Sequence, residues 1–155
     1  MMFGRKHSIK SHLRYLDKVA YRVIEDPEAI CDFVDRHLRR EWKERMRGRG
    51  GDPKWNPWLL SLLRRAWKLS IVELDSISLG LRIMNYVDPW SGDNFREDLS
   101  KRVTELQKSI QRSGLAIKPI VIRAEDSRLM DGYCRYHTLL GMGISRSYAY
   151  SGRLQ

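Results

Sequence analysis

In the first half of the chain, apolar residues recur at spacings of three and four, which is the period of an amphipathic helix. Two of these stretches open on a cap residue followed by proline, Asp26–Pro27 and Asn56–Pro57, as helix starts often do. Residues 48–53 are rich in glycine and proline and are predicted to form a loop. The pattern therefore predicts three helices: residues 8–24, residues 27 to about 47, and residues 57–68.

The pattern changes after residue 69. Polar and apolar residues alternate over 70–77, which predicts a short strand, and residues 79–94 have no clean period, which predicts a long irregular segment. The remaining predicted elements are a helix from the Asn94–Glu97 capping box to Gly114, hairpin strands at 117–123 and 128–130, a short helix at 134–142 and a final strand at 144–150. Together these elements predict an α+β fold, with helices packed on a small mixed sheet and an N-terminal helical layer.

The chain has 155 residues, of which 42% are apolar, enough for one domain with a substantial core. The change of pattern places a boundary near residue 69. We therefore expect a basic helical extension over residues 1–68 and a second unit over residues 69–155.

Several classes of protein are disfavoured. No run approaches the roughly 20 apolar residues of a membrane span, and the first residues lack the apolar stretch of a signal peptide, so a soluble, cytoplasmic protein is expected. Cys31 and Cys134 match no zinc spacing, and no histidine is paired with a cysteine at ligand spacing, so a structural metal site is not expected.

The positive charge is unevenly distributed. Residues 1–68 carry 17 Lys and Arg against 9 Asp and Glu, a net of +8, whereas residues 69–155 carry 12 against 10, a net of +2. Such a surface attracts nucleic acid or an acidic partner, but a solvated helical face has the same composition. The tryptophans of the predicted third helix, Trp58 and Trp67, fit either a stacking platform for bases or, more commonly, a core.

The segment Asp131-Gly132-Tyr133-Cys134-Arg135 follows a predicted strand and opens a predicted helix. Glycine lets the backbone turn closely, and the amides that follow point outward at the positive end of the helix dipole. Arg135 adds a guanidinium for phosphate oxygens, and Asp131 is placed to hold magnesium or to orient a hydroxyl. The segment therefore predicts an anion cradle, although an aspartate cap with a surface arginine would look the same.

The order of motifs around this segment resembles the ParB/sulfiredoxin superfamily over residues 69–152. The strand VELDSI at 72–77 is similar to the first strand of that domain. Other matching positions are Ser109, Ile110, Gly114, Lys118, Pro119, Ile120, Asp131, Gly132, Arg135, Leu140, Gly143 and Ile144. The resemblance implies a domain that binds nucleotide phosphates through the DGxxR box.

Members of this superfamily use the nucleotide differently: partition proteins hydrolyse CTP and clamp DNA, sulfiredoxins use ATP to repair a cysteine, and free serine kinases phosphorylate serine from ADP or ATP. Tyr133 occupies the position of the sulfiredoxin cysteine and Cys134 lies one residue later, which disfavours sulfiredoxin activity. The serine kinases carry DGHHR in place of this DGYCR and are the most similar branch. Their glutamate after the first strand has no counterpart in residues 76–81.

The resemblance therefore implies a nucleotide-dependent phosphotransferase, a kinase of a small hydroxylated metabolite such as free serine, or an NTPase, using ATP or ADP with Mg²⁺. The residues expected to act in catalysis are Asp131, Glu97 and Asp98, with Asp131 also a candidate magnesium ligand; those expected to bind the nucleotide are Gly132, Tyr133, Cys134, Arg135, Lys118 and Pro119. Further candidates for the general base are Asp88, Asp93 and His137, of which His137 better fits a structural role. The alternatives are a CTP-switched DNA-binding module, with nucleic acid bound through residues 1–68, and a partner-binding protein without chemistry. A homodimer is compatible with each.

Overall fold

A computed structural model describes residues 11–46, 65–80, 84–87 and 91–155. Its elements, in chain order, are β1 (Ser11–Leu16), β2 (Val19–Ile24), α1 (Pro27–Met46), β3 (Arg65–Glu73), a 3₁₀ turn (Leu74–Ser76), α2 (Phe95–Ser113), β4 (Ile120–Arg123), β5 (Arg128–Asp131), α3 (Tyr133–Gly141) and β6 (Arg146–Leu154). These elements confirm the predicted α+β class.

The main sheet has the strand order β3-β6-β4-β5. β6 runs antiparallel to β3 and parallel to β4, and β4 runs antiparallel to β5. β1 and β2 form a separate antiparallel hairpin. This hairpin is attached to the segment before β4, because the N–H of Arg22 donates to the carbonyl of Ile117 at 2.9 Å.

Both faces of the main sheet are covered. On one face the apolar side of α1, with Ile30, Val34 and Leu38, packs against Trp67 and Tyr150 of the sheet. Neighbouring residues of a strand point to opposite faces, and the β4 residues Ile120 and Ile122 belong to a second cluster. The buried residues that the hairpin, α2 and α3 contribute to that cluster are Leu16, Val19, Tyr21, Val23, Leu99, Ile110, Tyr133, Tyr136 and Leu139.

The prediction of a helix over residues 8–24 is wrong over residues 11–24, which form the β1–β2 hairpin; residues 8–10 lie outside the described ranges. Its two-residue turn places Asp17 and Lys18 at φ values of 50° and 71°, the backbone geometry that follows the twist of paired strands. In β2 every residue except Arg22 is buried. A strand buried on both sides loses its alternation, so its apolar spacing imitates that of a helix.

The predicted third helix is wrong over residues 65–68, which belong to β3; its earlier residues, including Trp58, lie outside the described ranges, as do residues 48–53. Burial alternates at the start of β3, where Arg65 and Trp67 are buried while Ala66 and Lys68 are exposed. This period of two is that of a strand. Trp67 is 4% exposed, which confirms the core interpretation for this tryptophan.

The helices predicted to start at residue 27 and at the Asn94–Glu97 capping box correspond to α1 and α2, and their N-terminal caps were also predicted correctly. The Asp26 carboxylate accepts the N–H of Ala29 at 2.9 Å, and the Asn94 side chain accepts the N–H of Arg96 at 2.9 Å. Gly114 ends α2 at φ 64°. The hairpin β4–β5, the short helix and the final strand are confirmed with small shifts, and the strand predicted at 70–77 starts earlier, at Arg65, and ends at Glu73.

Two expectations concern the organisation of the chain. β3 runs through positions 68 and 69, where the boundary between residues 1–68 and 69–155 was predicted, and the division into two units stays a prediction. Within the described ranges, no helix has the length and apolarity that crossing a membrane requires.

A buried arginine closes one end of the sheet. The Arg65 side chain, 7% exposed, donates to the Glu125 carboxylate at 2.7 Å and to the Gly152 carbonyl at 3.0 Å. The other Glu125 oxygen accepts the N–H of Leu154 at 2.7 Å. The Leu154 N–H and, after it, the Arg65 guanidinium lower the pKa of Glu125 to about 2. The carboxylate therefore joins β3, β6 and the β4–β5 turn.

Glu125→Gln is expected to lower the free energy of unfolding by about 1 kcal/mol at neutral pH, because the amide cannot accept from both donors and leaves Arg65 without a counter-charge. The folded-state pKa lies below the usual 4.5, so the carboxylate stabilises the fold above pH 4.5 and this stabilisation is lost as the pH falls towards 2. Urea unfolding at several pH values measures both effects. Glu105→Gln, at an exposed position of α2, is the control. If the difference in free energy of unfolding between wild type and Glu125→Gln stays constant down to pH 2, the stabilising role of the ionised Glu125 is contradicted.

Candidate functional site

The turn between β5 and α3 is formed as the sequence predicts. Asp131 is the last residue of β5, and Gly132 caps α3 at φ 103° and ψ 27°, without a side-chain hydrogen bond at the cap. A Cβ atom at Gly132 would lie 2.8 Å from Cγ2 of Ile120, which is fully buried. Only glycine fits here, since both the backbone angle and the space exclude a side chain. The positive end of α3 is thereby presented next to Asp131.

The Arg135 guanidinium hydrogen-bonds to other residues of the protein. One terminal nitrogen, Nη1, donates to the carbonyls of Lys118 and Pro119 at 3.0 and 2.6 Å, and Nη2 donates to Oδ2 of Asp131 at 2.8 Å. The ion pair with Asp131 is mostly buried, with side-chain exposures of 17% and 12%. Arg135 therefore ties the start of α3 to the segment before β4, and it positions Asp131.

Helix α1 contributes to this site, which sequence reasoning missed. His37 Nε2 lies 3.1 Å from Oδ2 of Asp131, the same oxygen that Arg135 contacts. The Phe33 ring is stacked on the His37 ring at 5.7 Å, and Lys118 Nζ lies 5.3 Å from the centre of the Phe33 ring. The sequence did show that residues 33 and 37 lie next to the apolar residues of α1. It contained no pattern to show that they would lie near the end of β5.

One predicted nucleotide ligand, Tyr133, belongs to the core. Its hydroxyl donates to the Leu129 carbonyl at 3.2 Å and accepts the N–H of Gly80 at 2.9 Å. Its ring packs edge-on against Phe95 at 5.8 Å. Tyr133 therefore positions the start of α3 next to the start of α2, and its role in nucleotide binding stays a prediction.

The other predicted residues are distributed around the same turn. Cys134 is half-buried in the first turn of α3, Pro119 is buried, and Lys118 is exposed. Glu97 and Asp98 are exposed in the first turn of α2, which adjoins α3 through the Phe95–Tyr133 contact. The structure thus groups Asp131, Arg135 and Lys118 directly, whereas Glu97 and Asp98 lie on the neighbouring helix. Their functional roles stay predictions.

The three further candidates for the general base, Asp88, Asp93 and His137, lie in different environments. Asp93 is exposed before α2, and Asp88 lies outside the described residues. His137 Nε2 is buried and has no hydrogen-bond partner in the described part of the chain. Burial, and then the charge of Arg96, lower the pKa of His137, so its neutral form is favoured. A neutral ring packed edge-on against Tyr136 at 5.0 Å is consistent with a structural role.

Tyr150 of β6 packs against α1 and has a structural role. Its hydroxyl accepts the N–H of Ile24 at 3.0 Å, and its ring contacts Phe33 edge-on at 5.8 Å. Burial raises its pKa to about 12, against the smaller opposing effects of the Ile24 hydrogen bond and the Arg135 charge. Tyr150 therefore stays protonated near neutral pH and supports α1 from below.

The role of Asp131 as a magnesium ligand stays a prediction. Its Oδ2 atom already contacts the Arg135 guanidinium and the His37 ring. No group of three or more His, Cys, Asp or Glu among the described residues is arranged to hold a metal ion. Magnesium usually keeps several waters and binds through one or two carboxylates plus substrate phosphates, so an ion would have to arrive with the nucleotide.

No family model matches this chain, and no curated protein matches it. Its structure is similar to a Pnob8-like ParB-N domain, with a TM-score of 0.42 and 12% identity over 60% of this chain and 32% of that one. It is also similar to the pNOB8-like ParB N-domain (TM-score 0.39, 19% identity, 59% and 29% coverage) and to sulfiredoxin from Arabidopsis thaliana (0.37, 22%, 54% and 82%). The chain thus spans about a third of the length of the two ParB structures. These similarities concern the arrangement of strands and helices alone.

Proposed function

We propose that this protein binds a nucleotide at the start of α3 and transfers a phosphoryl group from it to a small hydroxylated metabolite. The observation that supports the proposal is the turn at Gly132, where α3 begins without a side-chain cap and Arg135 binds the backbone carbonyl of the exposed Lys118. A helix start of this kind is suited to phosphate, since backbone amides and the dipole both favour an anion.

Each residue near the turn has a defined role in the proposal. The amides of Gly132 to Arg135 bind a phosphate of ATP or ADP, and Lys118 neutralises charge that develops during transfer. Arg135 positions Asp131, and Asp131 orients the acceptor hydroxyl. With CTP as donor the same contacts would serve, because none of them reads the base.

The transfer itself needs a base for the acceptor. The acceptor oxygen attacks the terminal phosphorus, the new O–P bond forms, and the bond from phosphorus to the bridging oxygen breaks, releasing the shortened nucleotide. The acceptor proton passes to a carboxylate, for which Glu97 and Asp98 are the candidates on the helix next to α3. Free serine is the acceptor that the resemblance to the serine kinases favours. With water as acceptor the protein is an NTPase.

Lys118→Gln is expected to weaken the binding of ATP, ADP or CTP about five- to tenfold, because it removes a cation from the phosphate site without disturbing the core. Calorimetric titration with magnesium present measures the affinity. Lys108→Gln is the matched control, at an exposed position of α2. If no nucleotide binds the wild type, or if both variants bind as it does, the proposed site is refuted.

Catalysis is tested separately from binding. Wild type is incubated with ATP or ADP and a panel of amino acids and polyols, and the products are followed by phosphorus NMR. A new phosphate ester supports the kinase, and inorganic phosphate alone supports the NTPase. Binding without any turnover would contradict both activities.

A second candidate is a DNA-binding module that CTP switches, without small-molecule catalysis. The net charge of +8 in residues 1–68 favours it. In that case DNA affinity should fall steeply between roughly 50 and 200 mM salt and should depend on CTP. Salt-insensitive binding, or an affinity that CTP does not change, would exclude this candidate.

A further inference from the structure

A second cationic surface lies on α1, beside the α3 start. It consists of Phe33, Arg36, His37 and Arg40, which recur at the helical spacing of one face, and we call it the α1 stripe. These side chains line a groove of about 300 Å³. That volume is at the lower end of the range for small-molecule sites.

The charge of the α1 stripe is available to a ligand. Arg36 and Arg40 are both exposed, and neither pairs with a carboxylate in the described part of the chain. The Nε atom of Arg36 donates to the Asp32 carbonyl at 3.3 Å. Two arginines four positions apart are separated by roughly 6 Å along the axis, so both guanidinium groups can reach one small anion.

The α1 stripe is continuous with the predicted phosphate site. His37 contacts Oδ2 of Asp131 at 3.1 Å, and Lys118 Nζ lies 5.3 Å from the centre of the Phe33 ring. At the junction, the Asp131 carboxylate is also paired with Arg135 at 2.8 Å. Its negative charge is therefore balanced by the Arg135 guanidinium, and the exposed Arg36 and Arg40 add positive charge beside the start of α3.

We propose that the α1 stripe is a polyphosphate site, which holds the distal phosphates of a nucleotide whose proximal phosphate lies at the start of α3. The proposal rests on the proposed function for the identity of the nucleotide. The paired N–H donors of an arginine side chain match the geometry of phosphate oxygens. Within a nucleotide triphosphate, the terminal phosphate carries the highest negative charge.

The test measures affinity against phosphate number. AMP, ADP, ATP and inorganic tripolyphosphate are titrated into wild type, into Arg36→Gln/Arg40→Gln, and into Arg102→Gln/Arg112→Gln. The last variant is the matched control, since it removes the same charge from exposed positions of α2. We expect affinity to rise from AMP to ATP in wild type and in the control. In the α1 variant, ATP and tripolyphosphate should bind at least tenfold more weakly, while AMP changes less than twofold.

The outcomes separate this inference from the proposed function. Equal ATP and tripolyphosphate binding in wild type and the α1 variant overturns the polyphosphate site and leaves nucleotide binding intact. Tripolyphosphate binding that depends on the α1 arginines, with no nucleotide bound, supports the site and refutes the proposed function. Absence of all binding overturns both. A parallel titration with a short DNA duplex identifies the other occupant: if the α1 variant loses only DNA binding, the stripe is a nucleic-acid surface and the proposal is wrong.

Discussion

Gly132→Ala is expected to lower the free energy of unfolding by about 3 kcal/mol and to weaken nucleotide binding at least tenfold. The backbone at Gly132 has φ 103°, which strains any other residue by roughly 1–2 kcal/mol. A Cβ atom would also lie 2.8 Å from Ile120 Cγ2 and 3.2 Å from Arg135 Nη2. Ile120 is buried and β-branched, so it has little room to move, and the clash adds about 1–3 kcal/mol. Urea unfolding and calorimetric titration with ATP measure the two effects.

Gly114→Ala separates backbone strain from the clash. Gly114 has φ 64° and nothing within 4 Å of a Cβ atom, so the substitution should cost only about 1 kcal/mol and leave nucleotide binding unchanged. If both alanine variants lose equal stability, the contact with Ile120 does not matter. If Gly132→Ala is destabilised but binds ATP normally, the start of α3 is not the phosphate site.

Gly152→Ala is expected to lower the free energy of unfolding by about 2–3 kcal/mol through overpacking. The Trp67 indole lies directly over this glycine, where a Cβ atom would be 2.7 Å from ring atom Cη2 and 2.8 Å from Cζ3. Trp67 is 4% exposed and packs in the cluster with Val121 and Tyr150, so the ring cannot move without disturbing α1 and the sheet. Thermal and urea unfolding measure the loss.

Two further variants test the cause. Gly152→Ala combined with Trp67→Leu should be more stable than the sum of the single effects predicts, by about 1 kcal/mol or more, because the smaller side chain removes the clash. Gly141→Ala should instead stabilise the protein by about 0.5–1 kcal/mol, since the nearest atom to its Cβ, Gln107 Oε1, is 3.7 Å away. Strict additivity of the double variant would show that Trp67 does not restrict position 152.

Local sequence was sufficient wherever an element is defined by its own residues. Asn94 and Gly114 mark both ends of α2 through hydrogen bonds within a few residues, and Asp26 does the same for the start of α1. The glycine turn between β5 and α3 was also predicted from five adjacent residues, Asp131 to Arg135. Capping and turn geometry depend on neighbours in the chain, so their signals survive without knowledge of the fold.

Contacts between distant segments decided the rest. The β1–β2 hairpin looked helical because β2 is buried on both sides, and that burial includes contacts of Tyr21 with Tyr148 and of Ile24 with Tyr150 in β6. Residues 65–68 looked like the end of a helix because the partner that makes them a strand, β6, lies at the other end of the sequence.

The same division applies to the site. That Asp131, Gly132 and Arg135 share one turn could be predicted from adjacent residues, because the close turn at a glycine depends on its neighbours in the chain. The contacts of Arg135 with the Lys118 and Pro119 carbonyls, and of His37 with Asp131, depend instead on how distant segments pack. The contact of His37 with Asp131 follows from the packing of α1 on the sheet, where Tyr150 and Trp67 set the position of the helix. No local sequence pattern shows how close α1 lies to the end of β5.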